Sequence, residues 1–284
     1  MSTLFKAETK YGNINGVFTL KNLNNYFLNS QFTSSWGLTE INKYFDSSPF
    51  VGLRGRLRAT TNYKGNIAFN SRFKKMFLNA NHKSDIRIED VRFHYQDFPL
   101  KFTFDSVKCK LDKNKILVNS CKATISETDL NFEGELLNLI EYILEESPII
   151  YTNGRIKSTY TNFSQIMTLG NISKTEKEEG NKMIMPNWIN ANTTIDVKKF
   201  SFRNFTASNL SGAITYKTGN FNMTNLSANT LNGSISGKFT LSEPTHNNLK
   251  LVSNINLNQI NIRNSFCLNY YTKKVIYIIY NYRN

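Results

Sequence analysis

The chain has 284 residues and a mass of 32.7 kDa, a formal charge of +14 with a pI near 9.6, 40% hydrophobic residues and a mean hydropathy of −0.40. So small an apolar share disfavours an ordinary compact α/β core and leaves room for a thin, extended sheet. The charge implies attraction to polyanions, but Lys and Arg are spread along the chain without any nucleic-acid-binding motif, so a solvated, Lys-rich outer face is the first reading, an anionic membrane surface the second, and nucleic acid is not expected as a partner.

From the start, MSTLFKAETKYGNINGVFTL reads as strand, without the apolar core of a signal peptide. QFTSSWGLTEINKYF then enters a short amphipathic helix at about 37–46, with Leu38, Ile41 and Phe45 on one face, and LRGRLRATTNY returns as a strand through Gly55. Next come Ile86, Ile88, Val91, Phe93 and Tyr95 in loose alternation, and Leu100, Phe102 and Phe104 in strict alternation. Val107, Cys109 and Leu111 are set to pair with Ile116, Val118 and Ser120 across a turn at Lys113-Asn114. With Cys109 facing Val118, Cys121 is out of register for a disulfide. Cys109 and Cys121 therefore read as small packing residues, and with Cys267 the cysteines lack metal-ligand spacing.

A hundred residues after the first, a second strand-then-helix unit appears. NFEGELLNLIEYIL places Leu136, Leu139, Ile140 and Ile143 on one face of a helix at about 135–145, and YTNGRIKSTYTNF returns through Gly154. LVSNINLNQINIRNSF resembles the start of a third copy. SKTEKEEGNK is a charged run without apolar periodicity, and the surrounding 173–186 reads as a linker between strand modules over 1–172 and a β module over 187–266. The last stretch, 267–284, crowds Tyr and Ile together without turn residues and reads as an atypical tail, such as a frameshifted gene end would produce.

The clearest signal lies between Ile195 and Leu257. Apolar residues recur every second position in short blocks, and glycines at 212, 219, 233 and 237 read as turns between them. Period-two alternation puts one row of side chains on each face of a strand, so this region is a half-buried antiparallel sheet with one apolar face to cover.

Chemistry is sparse by contrast. His82, His94 and His246 sit in unrelated contexts, with His94 expected outward on a strand. Glu89-Asp90 reads as a strand-to-turn edge, Glu145-Glu146 as a helix end and Glu178-Glu179 as linker, none of them a paired acid and base. Ser71 to Lys74 fits S-x-x-K by letter only, its companion motifs being absent, and Gly52, Gly55 and Gly65 are spaced as turn glycines, not as a phosphate cradle. The Asn-x-Ser/Thr triplets beginning at Asn204, Asn209 and Asn222 are expected by chance where Asn contributes 40 residues. The chain is accordingly read as non-enzymatic, with no cofactor and no metal.

The run MPNWINANTTIDVKKFSFRNFTASNLSGAITYKTGNFNMTNLSANTLNGSISGKFTL, Met185 to Leu241, resembles the C-terminal region of the AsmA-like family of bacterial envelope proteins in its Bacteroidetes form. The resemblance rests on a Pro-led entry, an I-x-V-x-x-F-x-F strand, an L-S-G-x-I-x-Y strand and an L-x-G-x-I-S-G-x-F-x-L hairpin. FDSVKCKLDKNKILVNSCKATISETDLNFEGELLNLIEYI, Phe104 to Ile143, is similar to the family's preceding module, and the whole match extends from Lys10 to Phe266. Unlike typical members, the chain opens without an inner-membrane helix and departs from family-like sequence after Phe266.

The resemblance implies a mostly β fold. It would be an elongated, curved antiparallel sheet folded taco-like into a hydrophobic groove, with short amphipathic helices between strand modules, related to the bridge-like lipid transfer proteins. It implies phospholipid as the cargo, a membrane surface at the groove ends, and an outer-membrane or periplasmic protein partner. The setting is the bacterial envelope, periplasm-facing and anchored in the inner membrane in the family at large. The residues expected to line the groove are Ile195, Val197, Ile214, Tyr216, Phe221, Met223, Ile235, Phe239, Leu241, Leu251, Ile255 and Leu257. The competing class is a structural or adhesive β-rich surface protein, a β-solenoid or barrel fragment; a barrel calls for longer strands with aromatic girdles.

Overall fold

A computed structural model describes residues 2–22, 24–43, 50–67, 73–95, 100–144, 149–169, 187–245, 248–260 and 277–280. The charged run at 173–182, Glu145-Glu146, Ser71, His246 and Cys267 lie outside the described residues, as does most of the 267–284 tail. The chain is mostly β with a few short helices, as its alternation predicts, and it divides into two compact units. The first comprises 1–125 and 132–150, the second 126–131 and 151–284. In both units the hydrogen-bonded order of the strands is their order in the chain.

The first unit holds β1 (Ser2–Thr9), β2 (Gly12–Lys21), β3 (Phe27–Gly37), β4 (Phe50–Asn66), β5 (Asn81–Tyr95), β6 (Lys101–Asp112), β7 (Lys115–Ile125) and most of β8 (Thr128–Leu137). Two-residue turns close β1 to β2 and β6 to β7, the latter at Lys113-Asn114 as the sequence indicates. Lys113 has φ of 55°, the left-handed conformation that a tight hairpin needs. Cys109 faces Val118 and Leu111 faces Ile116, but a register shift sets Cys121, not Ser120, opposite Val107. Both cysteines are free and half-buried, and burial pushes the Cys121 thiol up to about 11, with Cys109 beside it adding to the rise. Both are protonated packing groups at neutral pH.

Helices sit where longer connections pass between strands. α1 (Leu38–Asn42) falls inside the expected 37–46 and is tied to β4 by two hydrogen bonds: Thr39 Oγ1 donates to Leu53 O at 2.9 Å, and Asn42 Nδ2 to Phe50 O at 3.0 Å. α3 (Leu139–Ile143) falls inside the expected 135–145. Its Leu139 and Ile140 pack with Leu136 against the buried Leu111, Ile116 and Val118. The sequence reading passed over α2 (Phe73–Asn79) and α4 (Phe163–Leu169), each only seven residues and too short for a helical period to stand out. α2 places Phe77 over His82, ring centroids 4.6 Å apart, and His82 is 2% exposed. His94 is exposed on its strand, as expected.

The second unit holds β9 (Ile150–Asn162), β10 (Ile189–Phe202), β11 (Phe205–Lys217), β12 (Asn220–Thr230), β13 (Gly233–Thr245), β14 (Asn248–Asn258) and β15 (Tyr277–Tyr280). Two-residue turns join β10 to β11, β11 to β12 and β12 to β13; β14 pairs antiparallel with β13, and β15 lies parallel to β14. The unit's first residues latch onto β9. Asp129 accepts from Thr159 N at 2.9 Å, Thr159 Oγ1 at 2.6 Å, Tyr160 N at 2.6 Å and Ser158 Oγ at 3.3 Å. Desolvation works to raise the Asp129 pKa, but these hydrogen bonds outweigh it and hold the carboxyl below its ordinary value.

Among the described residues, no helix is long and apolar enough to cross a membrane.

Candidate functional site

Strand register assigns every residue of the alternating region to a face. Directly paired residues of antiparallel strands project to the same side. In β10 and β11 Val197 faces Leu210, Ile195 faces Gly212, Thr193 faces Ile214 and Ala191 faces Tyr216. Ile214 then faces Met223 and Tyr216 faces Phe221, while Met223 faces Phe239, Phe221 faces Leu241 and Ala228 faces Ile235. Across the last pair Leu241 faces Leu251, Gly237 faces Ile255 and Ile235 faces Leu257. All twelve residues read from the sequence as groove lining therefore share one face of β10–β14.

Keeping that face apolar requires the strands to change parity midway. In the sequence the apolar spacing slips from two to three at Val197 to Phe200, Ala207 to Leu210 and Met223 to Leu226, where an unbroken strand would turn the second block outward. The slip is absorbed by bulges. Lys198 and Asn209 drop out of the ladder together, and the register to β12 shifts beside Asn209 and again beside Asn225. Asn209 and Asn225 have φ of 52° and 53°, the left-handed conformation that Asn tolerates better than other side-chain-bearing residues. As a result Val197, Ala207, Leu210, Met223, Leu226 and Ala228 form one buried cluster, flanked by Ile195, Phe200, Phe205, Ile214, Phe221, Ile235 and Phe239.

Two glycines expected as turns belong to this face instead. Gly219 and Gly233 are turn-associated, but Gly212 and Gly237 lie inside β11 and β13. A Cβ on Gly212 would come within 2.6 Å of Met223 Cε, and one on Gly237, at φ 145°, would run into the carbonyl of Asn254. Both are close-approach positions, and their turn-like appearance in sequence came from neighbouring Ser and Asn.

Burial is graded over the face. Val197 and Met223 are each 4% exposed and Tyr216 is 7%, whereas Leu257, on the β14 side, is 42% exposed. At one end α4 covers the face, with Phe163 packed 5.9 Å from Phe200 and 5.7 Å from Phe202 between ring centroids. The described strands of this unit lie side by side in one sheet. The opposite face is polar row by row: Asp196, Ser211, Ser227, Ser236 and Asn256 are successive cross-strand partners.

The first unit has a comparable apolar face, which the sequence reading did not nominate. Trp36, Leu57, Ile88, Val107 and Cys121 are successive partners across β3 to β7. Here too a left-handed residue, Asp90 at φ 54°, accompanies a change of parity, and Val91 and Phe93 continue the face on which Ile86 and Ile88 began. Glu89-Asp90 is thus a mid-strand bulge, not a strand end. The sequence signal was the strict alternation of Arg54, Arg56 and Arg58 with Gly55, Leu57 and Ala59.

Site and fold together define a class: an antiparallel β protein whose sheet is apolar on one face and polar on the other. Among the described residues no group of His, Cys, Asp or Glu is arranged to hold a metal ion. The chain matches no family model, no curated protein and no solved structure, so the AsmA-like resemblance rests on the order and spacing of its motifs.

Proposed function

We propose that this is a non-enzymatic protein of the bacterial envelope that shields phospholipid acyl chains on the apolar face of β10–β14, supporting lipid transport between membranes and outer-membrane assembly. The observation that carries this reading is the convergence of twelve largely apolar side chains from five consecutive strands of one sheet onto one face. Such a face needs an apolar partner, and an acyl chain supplies one. Ten buried methylenes contribute about 8 kcal/mol at ~0.8 kcal/mol each, enough to hold a lipid. The face is mainly Ile, Val, Leu, Phe and Met, and its polar side chains Thr193, Tyr216 and Ser253 are buried, so little on it fixes an acyl chain at one position. The antiparallel pairing of consecutive strands favours this reading over a β-solenoid, whose coils stack in parallel.

The test is organic extraction of the purified protein followed by mass spectrometry. Co-purifying phospholipid is expected, and it should be lost in I214D/F221D. Because those changes also strain the sheet, L251D at the half-buried β14 side is measured beside them and should lower lipid content while circular dichroism stays native. A stable, folded, lipid-free protein would overturn the reading.

A further inference from the structure

The polar face of the first unit stacks like charges that sheet stability alone would separate. Arg58 is the direct cross-strand partner of Arg87, and Arg87 of Lys108, a row of three cations over β4, β5 and β6. Ser35 and Ser120 continue the row on either side. Nearby Arg54 is the direct partner of Arg92. Like charges directly opposite on neighbouring strands are destabilising.

Carboxylates offset only part of this. Glu89 takes Arg58 at 2.8 Å and Arg87 at 3.8 Å, and Asp85 takes Lys110 at 3.8 Å. Among the described residues, Arg54, Arg92 and Lys108 make no ion pair, and neither does Arg56, although Glu89 lies directly opposite it on β5. All seven cations named here are exposed.

We infer that this cationic face docks onto the surface of an anionic lipid bilayer. The face complements it in charge, and it presents cations on adjacent strands of a sheet, so several can meet a plane of headgroup phosphates together. Its outward positions from Arg54 to Lys64, Lys83 to Arg92 and Thr103 to Lys110 include no aromatic residue on which a base could stack. Those positions belong to strands of the sheet, not to a helix or ribbon of the kind that enters a DNA groove. Each Lys or Arg at an anionic membrane surface contributes about 1 kcal/mol, so loss of three weakens binding roughly a hundredfold. The site is separate from the apolar face of the second unit, and either can fail without the other.

The experiment is co-sedimentation of the full chain with phosphatidylcholine vesicles, with and without phosphatidylglycerol. Binding is expected only to the anionic vesicles, falling as salt is raised. R58Q/R87Q/K108Q should lose it roughly a hundredfold, whereas K199Q/K217Q/K238Q, which removes the same charge from the polar face of the second unit, should retain most of it. The first variant relieves the repulsion in the row but also takes both cations from Glu89, so its urea midpoint is measured beside the binding, and R58K/R87K/K108R, which keeps the charge, should bind like the parent. Equal binding by both triple variants, equal binding to neutral vesicles, or preferential capture by duplex DNA at matched phosphate concentration would each overturn the proposal.

Discussion

The two units solve the same packing problem but dress their solvent faces differently. Each runs an apolar face across consecutive antiparallel strands, and each changes strand parity where a left-handed residue interrupts the ladder: Asp90 in the first, Asn209 and Asn225 in the second. On the polar side of β10–β14 the second unit sets four lysines opposite neutral residues: Lys199 faces Ser208, Lys217 faces Asn220, Lys238 faces Asn254 and Lys250 faces Ser242. The first unit instead sets Arg58 against Arg87, Arg87 against Lys108 and Arg54 against Arg92. The apolar faces answer to folding, which both units share. A like-charge arrangement on β4–β6 that the described pairs of β10–β14 do not repeat points to a surface with a separate task.

The largest effect should come from breaking the apolar face at its centre. Met223→Asp places a carboxylate among apolar neighbours at a position 4% exposed, and should cost about 3–5 kcal/mol in urea unfolding of the second unit. Leu257→Asp, on the same face but 42% exposed, should cost under about 1 kcal/mol. Equal costs at the two positions would mean that the graded burial of the face is wrong.

The bulges come next. Asn225→Ile puts a β-branched residue at φ 53° and should cost about 1–2 kcal/mol, whereas Asn225→Gly should be neutral within a few tenths. A native-like midpoint for the Ile variant would show that β12 keeps one parity throughout, which would send Leu226 and Ala228 to the polar face.

Much of this is legible in the sequence alone. The blocks Ile195–Val197 and Phe200–Phe202 display both the period of two and the slip to three; the twelve residues share one face because no slip falls between those on the same strand, and the bulges bring Phe200, Ala207 and Leu226 to that face as well. Gly212 and Gly237 misled because a glycine that admits a neighbouring side chain or carbonyl looks in sequence like a glycine that turns the chain. The row Arg58, Arg87 and Lys108 was illegible for a different reason. Each residue alternates correctly within its own strand, but their juxtaposition depends on registers set by connections outside those strands, and a one-residue change in either would separate the charges.

The Asp129 latch sharpens the comparison at the start of the second unit. Asp129→Ala removes the acceptor shared by Thr159 N and Tyr160 N and should cost about 1 kcal/mol, water replacing the carboxylate at the exposed Thr159. Because the folded carboxyl titrates below its ordinary value, its contribution is complete above that ordinary value and is lost as the pH falls through the depressed one. The protection of the Thr159 and Tyr160 amides, taken relative to the intrinsic exchange rate at each pH, should therefore fall selectively on acidification. Exchange that stays slow in the Ala variant would show that the strand ladder alone holds this junction.

The smallest effect bears most directly on why the units differ. Arg92→Glu replaces a like-charge pair with an opposite one against Arg54, and should raise stability by about 0.2–1 kcal/mol at low salt, the gain shrinking as ions screen the exposed pair. Lys238→Glu, opposite the neutral Asn254, has no such repulsion to relieve and should change stability by less than about 0.5 kcal/mol. If both substitutions behaved alike, the opposed arginines would cost the fold nothing and their placement would need no function to explain it. If Arg92→Glu stabilises the fold while weakening attachment to anionic vesicles, the first unit gives up stability at the same positions that it uses to meet negative charge.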